Sequence, residues 1–276
     1  MMALMTRQPV GSREYKVMLV SERFAGSELE ARRAVDDFWT DVGRALVDLD
    51  IPTEGAFDIV KARRRIRFLD TAERELNGRR YIFRERVDIE SDEREMTLKY
   101  RHADRYVAQD RDMQAKGKDD RSSTKFEEDV KPPFVSVFSF STTVGVDADE
   151  QFGEVEHMLG LFPGLADKLD GIGEHTELAV VDDFCARELV LEGASLLLGK
   201  RDIAAECAMV IWYDETEGDA ASQPRCVEFS FKYGNEDEDY RGTVARDAFE
   251  VLHALPTSLA GWVDPEPRTK TAFVYG

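Results

Sequence analysis

The feature that most constrains the fold is an alternation of polar and apolar side chains in several separate runs. In the run Glu95 to Arg101, polar or charged residues occupy every second position and apolar residues fill the positions between. In Tyr81 to Val87, Arg84 and Arg86 share one side of an extended chain. Because side chains alternate between the two faces of a strand, such runs predict strands with one apolar and one charged face. The turn residues Asn77-Gly78 indicate that these strands are antiparallel neighbours.

Sequence patterns also predict helices, loops and further strands along the rest of the chain. Ser27 and Glu30 have the spacing of a capping box before an amphipathic run, which predicts a helix, and Val244 to Leu255 predicts another. Helical pieces are expected within 149–169, an exposed loop at 110–123 and a flexible N-terminus at 1–11. No linker rich in Pro, Gly or Ser divides the chain, so we expect a single domain over 1–276. Strand-like runs lie at 14–20, 61–67, 81–87, 95–101, 125–129, 134–143, 185–191, 208–214 and 226–233, with 268–276 as a candidate final strand.

Charge and composition exclude several classes of protein. The chain has 37 basic and 56 acidic side chains, so its net charge is 37 − 56 = −19, which disfavours binding to nucleic acid. No apolar run is long enough to span a membrane, and we expect a soluble, cytoplasmic protein. The three cysteines are widely spaced and predict neither disulfides nor a thiolate zinc site. The glycine-rich, Ser-centred and His-paired motifs of nucleotide-binding proteins, serine hydrolases and zinc proteases are absent from the sequence.

Cations cluster locally in this acidic chain, and carboxylates occupy equivalent places in other strand-like runs. If the sheet closes, its interior would hold a cationic group beside an acidic group. Arg and Lys suit phosphate oxygens, whereas grouped carboxylates suit a hard divalent cation, so the pattern points to a polyphosphate–metal ligand. The cations are Lys61, Arg63, Arg65, Arg67, Arg84, Arg86, Lys99 and Arg101, and the acids are Glu14, Glu127, Asp129 and Glu228.

The order of the motifs resembles the CYTH domain, also called the triphosphate tunnel metalloenzyme family. Members of that family read Glu-x-Glu-x-Lys, an aromatic-aromatic-Asp-Thr turn, Arg-x-Arg and Leu-Thr-Leu-Lys in turn. The resemblance covers most of the chain and is most specific between Asp70 and Lys99. Its segments here are Glu14-Tyr15-Lys16, Phe68-Leu69-Asp70-Thr71, Phe83-Arg84-Glu85-Arg86 and Met96-Thr97-Leu98-Lys99.

The resemblance implies an α+β fold in which an eight-stranded antiparallel β-barrel forms a tunnel with helices packed outside. It also implies that basic side chains hold a triphosphate and that glutamates bind Mg²⁺ or Mn²⁺, which activates water. The implied phosphate-binding residues are Lys16, Arg84, Arg86 and Lys99, with Arg187 and Lys270 as further contacts. The implied metal ligands are Glu14, Glu127 and Glu228.

Two positions depart from the family pattern. Ser12 stands where the first glutamate of the first strand is expected, and Ser230 stands where a second glutamate often accompanies Glu228. We favour a metal-dependent phosphohydrolase for a small organic triphosphate or inorganic tripolyphosphate. One alternative is a non-catalytic module that binds an anionic ligand, because each of the two expected glutamate pairs has lost one member. The other alternative is an adenylate cyclase. A small molecule is the expected partner, with neither nucleic acid nor membrane, and a homodimer is one option for assembly.

Overall fold

The strands and helices come from a computed structural model that describes residues 7–217, 222–235, 237–238, 240–266 and 268–276. The nine strands are β1 Ser12–Leu19, β2 Thr53–Asp70, β3 Tyr81–Asp88, β4 Arg94–His102, β5 Ser122–Lys131, β6 Val135–Val146, β7 Ala179–Leu198, β8 Ile203–Asp214 and β9 Cys226–Tyr233. The α-helices are α1 Glu28–Ala45, α2 Glu75–Gly78, α3 Arg105–Gln109, α4 Val155–Leu161, α5 Gly242–Ser258 and α6 Lys270–Tyr275.

The strands close into a ring in the order β1-β5-β6-β4-β3-β2-β7-β8-β9. The fold is therefore α+β with a closed sheet and helices outside it, as expected. The ring has nine strands rather than the eight that the family resemblance implied, one for each of the nine strand-like runs in the sequence. The chain forms two compact units. The first contains described residues 7–10 together with Arg64–Glu128 and Val137–Cys185, and the second contains Gly11–Arg63, Asp129–Ser136 and Ala186–Gly276.

The second unit is built around an apolar face covered by two helices. Ser27 caps α1 through the expected box, because its side chain accepts from the Glu30 backbone N–H while the Glu30 carboxylate accepts from the Ser27 backbone N–H. The odd-numbered positions of β1 and β9 supply the sheet side of this core. Residues buried there include Tyr15, Val17, Phe229 and Phe231 from the strands, Val35, Phe38 and Val42 from α1, and Val244, Val251 and Leu252 from α5.

Two glycines allow β2 and β7 to approach closely in the second unit. Gly55 and Gly193 both have positive φ, at 68° and 112°. A Cβ on Gly55 would lie 2.1 Å from the carbonyl oxygen of Gly193, so no larger residue fits without a backbone shift.

The first unit also has an apolar, helix-covered face. Phe83 in β3 lies opposite Leu98 in β4, and both side chains are fully buried. The Phe83 ring packs edge-on against Phe152 and Phe162, which flank α4. Apart from Ile82, the remaining side of β3 and β4 carries charged and polar residues, as the alternation in the sequence predicts.

Three local predictions need correction. The segment expected as a final strand, 268–276, contains the helix α6, begun by Thr269, whose side chain accepts from the Ala272 backbone N–H. The Asn77-Gly78 turn belongs to the short helix α2. Within 110–123, Met113 and Ala115 are buried apolar anchors that the sequence reading did not identify.

Some expectations fall outside the described residues. These are part of the N-terminal segment, residues 1–6, and part of the acidic break after β8, residues 218–221. Among the residues that the structure describes, none of the helices combines the length and the apolar composition needed to cross a membrane.

Candidate functional site

Strands β3 and β4 of the first unit gather four cations on the side of the sheet opposite the helices. Strand register aligns Arg84 with Thr97 and Arg86 with Glu95, and it places Lys99 and Arg101 farther along β4 on the same face. The Nε atoms of Arg84, Arg86 and Arg101 are buried. We call this patch, made by 82–86 of β3, 95–101 of β4 and 139–145 of β6, the cation-rich face. Its four cations and one carboxylate, Glu95, give it a formal charge of +3.

Arg65 and Arg67 of β2 lie on the other side of the sheet, contrary to the sequence expectation. Arg67 pairs with Glu85, at 2.6 Å, on the helix-covered side of the sheet. Glu85 is nearly fully buried and also accepts from Arg94 Nε at 2.7 Å. The β2 residues on the same face as Arg84 and Arg86 are Phe68, Ile66 and Arg64, which lies opposite Asp88. Arg65 and Arg67 therefore do not join the group formed by Arg84 and Arg86. The expectation was wrong because the sequence alone does not determine the register between β2 and β3.

The Asp70-Thr71 motif organises the turn after β2. Asp70 is buried, and its two carboxylate oxygens accept from the backbone N–H groups of Thr71, Leu76 and Asn77. A buried carboxylate that accepts three backbone bonds holds the turn in one conformation. Asp70 therefore has a clear structural role in positioning β3.

The second unit carries a contrasting group of carboxylates. Lys16 Nζ lies 2.9 Å from Glu14 Oε2 and 2.7 Å from Asp129 Oδ1. Lys270 Nζ lies 2.8 Å from Glu228 Oε1, and Glu228 is only 4% exposed. In the register of β1 with β9, Glu14 and Glu228 share one face with Lys16 between them. We call this group, with Glu188, the carboxylate-rich face.

Glu188 belongs to this group although the sequence reading did not identify it. Its Oε2 accepts from Trp212 Nε1 at 2.9 Å, and Lys270 Nζ lies 5.8 Å from the centre of the Trp212 ring. Burial raises the pKa of the Cys226 thiol. The positive charge of Lys270 opposes this rise, whereas the negative charges of Glu228 and Glu188 add to it. All three charges therefore lie near the Cys226 sulfur. The position of Glu188 in the strand could have identified it, because the even-numbered residues of β7 lie on the charged face. The family motif pointed instead to Arg187, an odd-numbered residue on the other face.

The charges of this group shift the titration of Glu14. Burial by itself would raise the pKa of the Glu14 carboxyl, and Asp129 adds to that effect. The Lys16 ammonium, which also donates a hydrogen bond, and Lys270 outweigh both, so the pKa of Glu14 lies below its ordinary value.

The remaining expected site residues are distributed as follows. Arg187 lies opposite Tyr213 on the helix-covered side of the second unit, with its guanidinium 4.9 Å from the tyrosine ring centre. The structure does not bring it to the carboxylate-rich face. Glu127 lies in the part of β5 that belongs to the first unit. Its neighbour Phe126 is buried against Phe140, so alternation turns Glu127 toward the charged side.

The donor chemistry of the carboxylate-rich face fits a hard divalent cation. Such ions prefer carboxylate oxygens. Four carboxylates, Glu14, Asp129, Glu188 and Glu228, against the two ammonium groups of Lys16 and Lys270 leave a formal charge of −2, which matches one divalent ion. The nearby Lys232 is paired with Glu206 at 3.1 Å.

A separate group of possible ligands lies on the surface of the first unit. In the described part of the chain, Glu154, Glu156 and His175 offer three ligand atoms within 4.8 Å of one another. The His175 side chain is 81% exposed and interacts with both carboxylates, at 3.2 and 3.7 Å.

The comparisons with known proteins give distant structural likenesses only. No family model matches the chain, and no curated protein matches its sequence. One similar structure is a protein from Hippeastrum, provisionally named an adenylyl cyclase and described as having a dominant triphosphatase activity. It is 10% identical, has a TM-score of 0.48, and the alignment covers 96% of this chain and 95% of that chain. Another, provisionally named an adenylate cyclase, is from Vibrio parahaemolyticus. It is 12% identical, has a TM-score of 0.39, and 98% of this chain and 100% of that chain are covered. Likeness at this level assigns neither a family nor an activity to this chain.

Proposed function

We propose that the protein is a metal-dependent phosphohydrolase that acts on a small triphosphate, either organic or inorganic. The observation that carries the proposal is the register of β3 with β4, which puts Arg84, Arg86 and Lys99 on one face of a chain whose net charge is −19. Like charges repel one another unless anions offset them, so such a group in an acidic protein favours an anionic ligand.

In this proposal the cations bind and orient the phosphate chain. Arginine guanidinium groups can donate two hydrogen bonds at once to phosphate oxygens, whereas Lys99 provides a compact charge. Phosphoryl transfer to water needs little covalent help from the protein, because positioning and charge neutralisation lower most of its barrier. Arg84, Arg86 and Lys99 supply both.

The carboxylates would hold the metal ion. Glu14 and Glu228 of the second unit are the proposed ligands. When bound, Mg²⁺ or Mn²⁺ would supply charge neutralisation and a water of lowered pKa. The ammonium groups of Lys16 and Lys270 offset part of the negative charge of these carboxylates. Both would have to give up carboxylate contacts when the ion binds.

Phosphate release tests the proposal directly. Tripolyphosphate and ATP are incubated with Mg²⁺, Mn²⁺ or EDTA, and orthophosphate is measured. We expect release with metal and none with EDTA, and Arg84→Gln should reduce kcat/KM by about tenfold or more. Arg33→Gln on α1, an exposed position with the same charge change, is the control. Arg111 is unsuitable as a control because it packs on the Tyr100 ring and donates to its hydroxyl.

A second candidate is a module that binds a phosphorylated ligand without turnover. The observation that favours it is that Glu14, Asp129 and Glu228 each already contact an ammonium group, while Ser12 and Ser230 stand at two expected ligand positions. Tight binding of tripolyphosphate with no orthophosphate release under any metal would select this candidate. Pyrophosphate release from ATP with a cyclic product would instead select cyclase chemistry.

A further inference from the structure

The start of α4 and the segment that precedes β7 lie side by side in the first unit. Three backbone hydrogen bonds join residues 153–156 to residues 174–178. They run from the N–H groups of Glu156, Val155 and Leu178 to the carbonyl oxygens of Glu174, Thr176 and Gly153, at 2.8, 3.0 and 2.9 Å. Val155 and Leu178 are buried, so an apolar side chain anchors each segment. The exposed side chains of the two segments therefore have fixed neighbours.

Glu154, Glu156 and His175 lie on the exposed side of these joined segments. One ligand atom of each residue lies within 4.8 Å of those of the other two. His175 Nδ1 is 3.2 Å from Glu154 Oε2 and 3.7 Å from Glu156 Oε2. Ligand atoms that share one tetrahedral metal ion, at about 2.0–2.2 Å each, lie about 3 to 4 Å apart. The three side chains would need only a small closure to surround an ion.

The charges of the two glutamates are offset by no lysine or arginine in the part of the chain that the structure describes. Glu154 forms an ion pair there with His175 alone. Glu156 does so with His175 and with His157, whose Nε2 lies 4.0 Å from Glu156 Oε1. Glu85 of the same unit is instead clamped by two arginines. Because two neighbouring carboxylates carry a charge of −2 and repel each other, a divalent cation between them would be favoured.

We propose that Glu154, Glu156 and His175 bind one Zn²⁺ ion, with water completing the coordination. The imidazole distinguishes this group from a purely acidic patch and selects the metal, because histidine nitrogen favours ions such as Zn²⁺ whereas Mg²⁺ and Ca²⁺ prefer oxygen ligands. The ion stabilises the link between α4 and the segment that precedes β7, since it binds the folded arrangement of both. The site is independent of the proposed phosphohydrolase function.

Calorimetric titration with Zn²⁺ tests the ligand set. The chain is stripped of metal with EDTA, dialysed, and titrated in excess Mg²⁺, which competes for sites made of carboxylates alone. We expect His175→Gln to weaken Zn²⁺ binding by about tenfold or more, because an amide is a poor zinc ligand. His157→Gln, beside the three ligands, should change it by less than about threefold, and exposed His253→Gln on α5 should leave it unchanged.

The outcomes of this titration separate a built site from general attraction to an acidic surface. If His175→Gln binds Zn²⁺ like His253→Gln, or if His157→Gln shows the larger loss, the assigned ligand set is wrong. No Zn²⁺ binding by the unmodified protein would reject the site outright. Glu154→Gln should also weaken binding by about tenfold, and an unchanged affinity there would remove the carboxylate from the set.

Thermal melts provide a second readout. The Tm of the unmodified protein and of His157→Gln should rise with Zn²⁺ concentration, whereas that of His175→Gln should rise much less. The His175 side chain is 81% exposed, so without Zn²⁺ the His175→Gln variant should melt like the unmodified protein. An equal rise with Zn²⁺ in His175→Gln would contradict the proposal. Both measurements use no phosphate substrate, so their outcome is separate from that of the phosphate-release assay.

Discussion

The charged faces of the two units use the same strand framework for opposite charges. In the first unit, β3, β4 and β6 gather four cations with Glu95 and a row of hydroxyls, at a formal charge of +3. In the second unit, β1, β9 and their neighbours gather four carboxylates with Lys16 and Lys270, at a formal charge of −2. Both units cover the other side of the sheet with helices. The two charged faces differ in which side chains occupy the alternate strand positions that point away from the helices. Each charged face can therefore change without altering the apolar core on the other side of the sheet.

The comparison also separates carboxylates that stabilise the fold from those that can exchange partners. Glu85 of the first unit lies on the helix-covered side, between two arginines. Glu228 of the second unit lies on the charged side with one lysine at the start of α6, and that lysine side chain is 23% exposed. A buried carboxylate clamped by two guanidinium groups is a fixed part of the structure, whereas one held by a flexible ammonium can release it.

The largest expected effect tests that separation. Glu85→Gln should lower the free energy of unfolding by about 3 kcal/mol, because two guanidinium groups lose their shared charge partner in a buried setting. Glu228→Gln should cost about 1 kcal/mol, since Lys270 can turn toward solvent. Urea denaturation measures both, with exposed Glu93→Gln as the control. Equal losses for Glu85→Gln and Glu228→Gln would break the distinction between the two units.

The next effect compares one lysine from each unit. Lys99→Met should weaken tripolyphosphate binding by about tenfold, because it removes a charge from the cation-rich face. Lys16→Met should change it by less than about threefold, because Lys16 already contacts Glu14 and Asp129. Titration in EDTA provides the measurement. A larger loss for Lys16→Met would show that the second unit also binds the phosphates.

A smaller effect concerns the metal. Ser12 has the parity of Glu14 on β1, so Ser12→Glu adds a carboxylate to the carboxylate-rich face. Mn²⁺ should bind about threefold to tenfold more tightly to this variant. Gln151→Glu in the first unit changes the net charge equally and should leave Mn²⁺ affinity unchanged. A matching rise in both variants would mean that net charge alone, not this face, sets metal affinity.

The smallest effect is a dependence of stability on pH. The folded-state pKa of Glu14 is lowered, so its stabilisation is present above the ordinary value of 4.5 and is lost as the pH falls through the folded pKa. Lys16→Met should raise the pKa of Glu14 and flatten this part of the curve. Urea midpoints measured from neutral pH to about pH 3 would detect the change. Parallel curves for the two proteins would contradict the assigned role of Lys16.

The sequence predicts the strands well and the contacts between them poorly. Alternation locates all nine strands because the period of two follows from backbone geometry. It leaves the register between β2 and β3 open, which is why the arginines at 65 and 67 were grouped with those at 84 and 86. Glu188 and the hydroxyls of β6 became visible only once neighbouring strands were aligned. The 268–276 segment looked extended because its Thr269 cap and short apolar run fit a strand as readily as a single helical turn.

The position of the cation-rich face in so acidic a protein has a kinetic consequence. An anion approaching from afar meets the field of a chain with net charge −19 and is repelled, although it is attracted once it reaches the four cations. Added salt screens the distant repulsion first, since the Debye length falls to about 10 Å at 0.1 M ionic strength. Association with tripolyphosphate should therefore become faster as salt rises from very low concentration, while dissociation also becomes faster. Most anion-binding proteins with a basic surface show the opposite trend in their association rate, so stopped-flow measurements against ionic strength would reveal the contrast between local and overall charge.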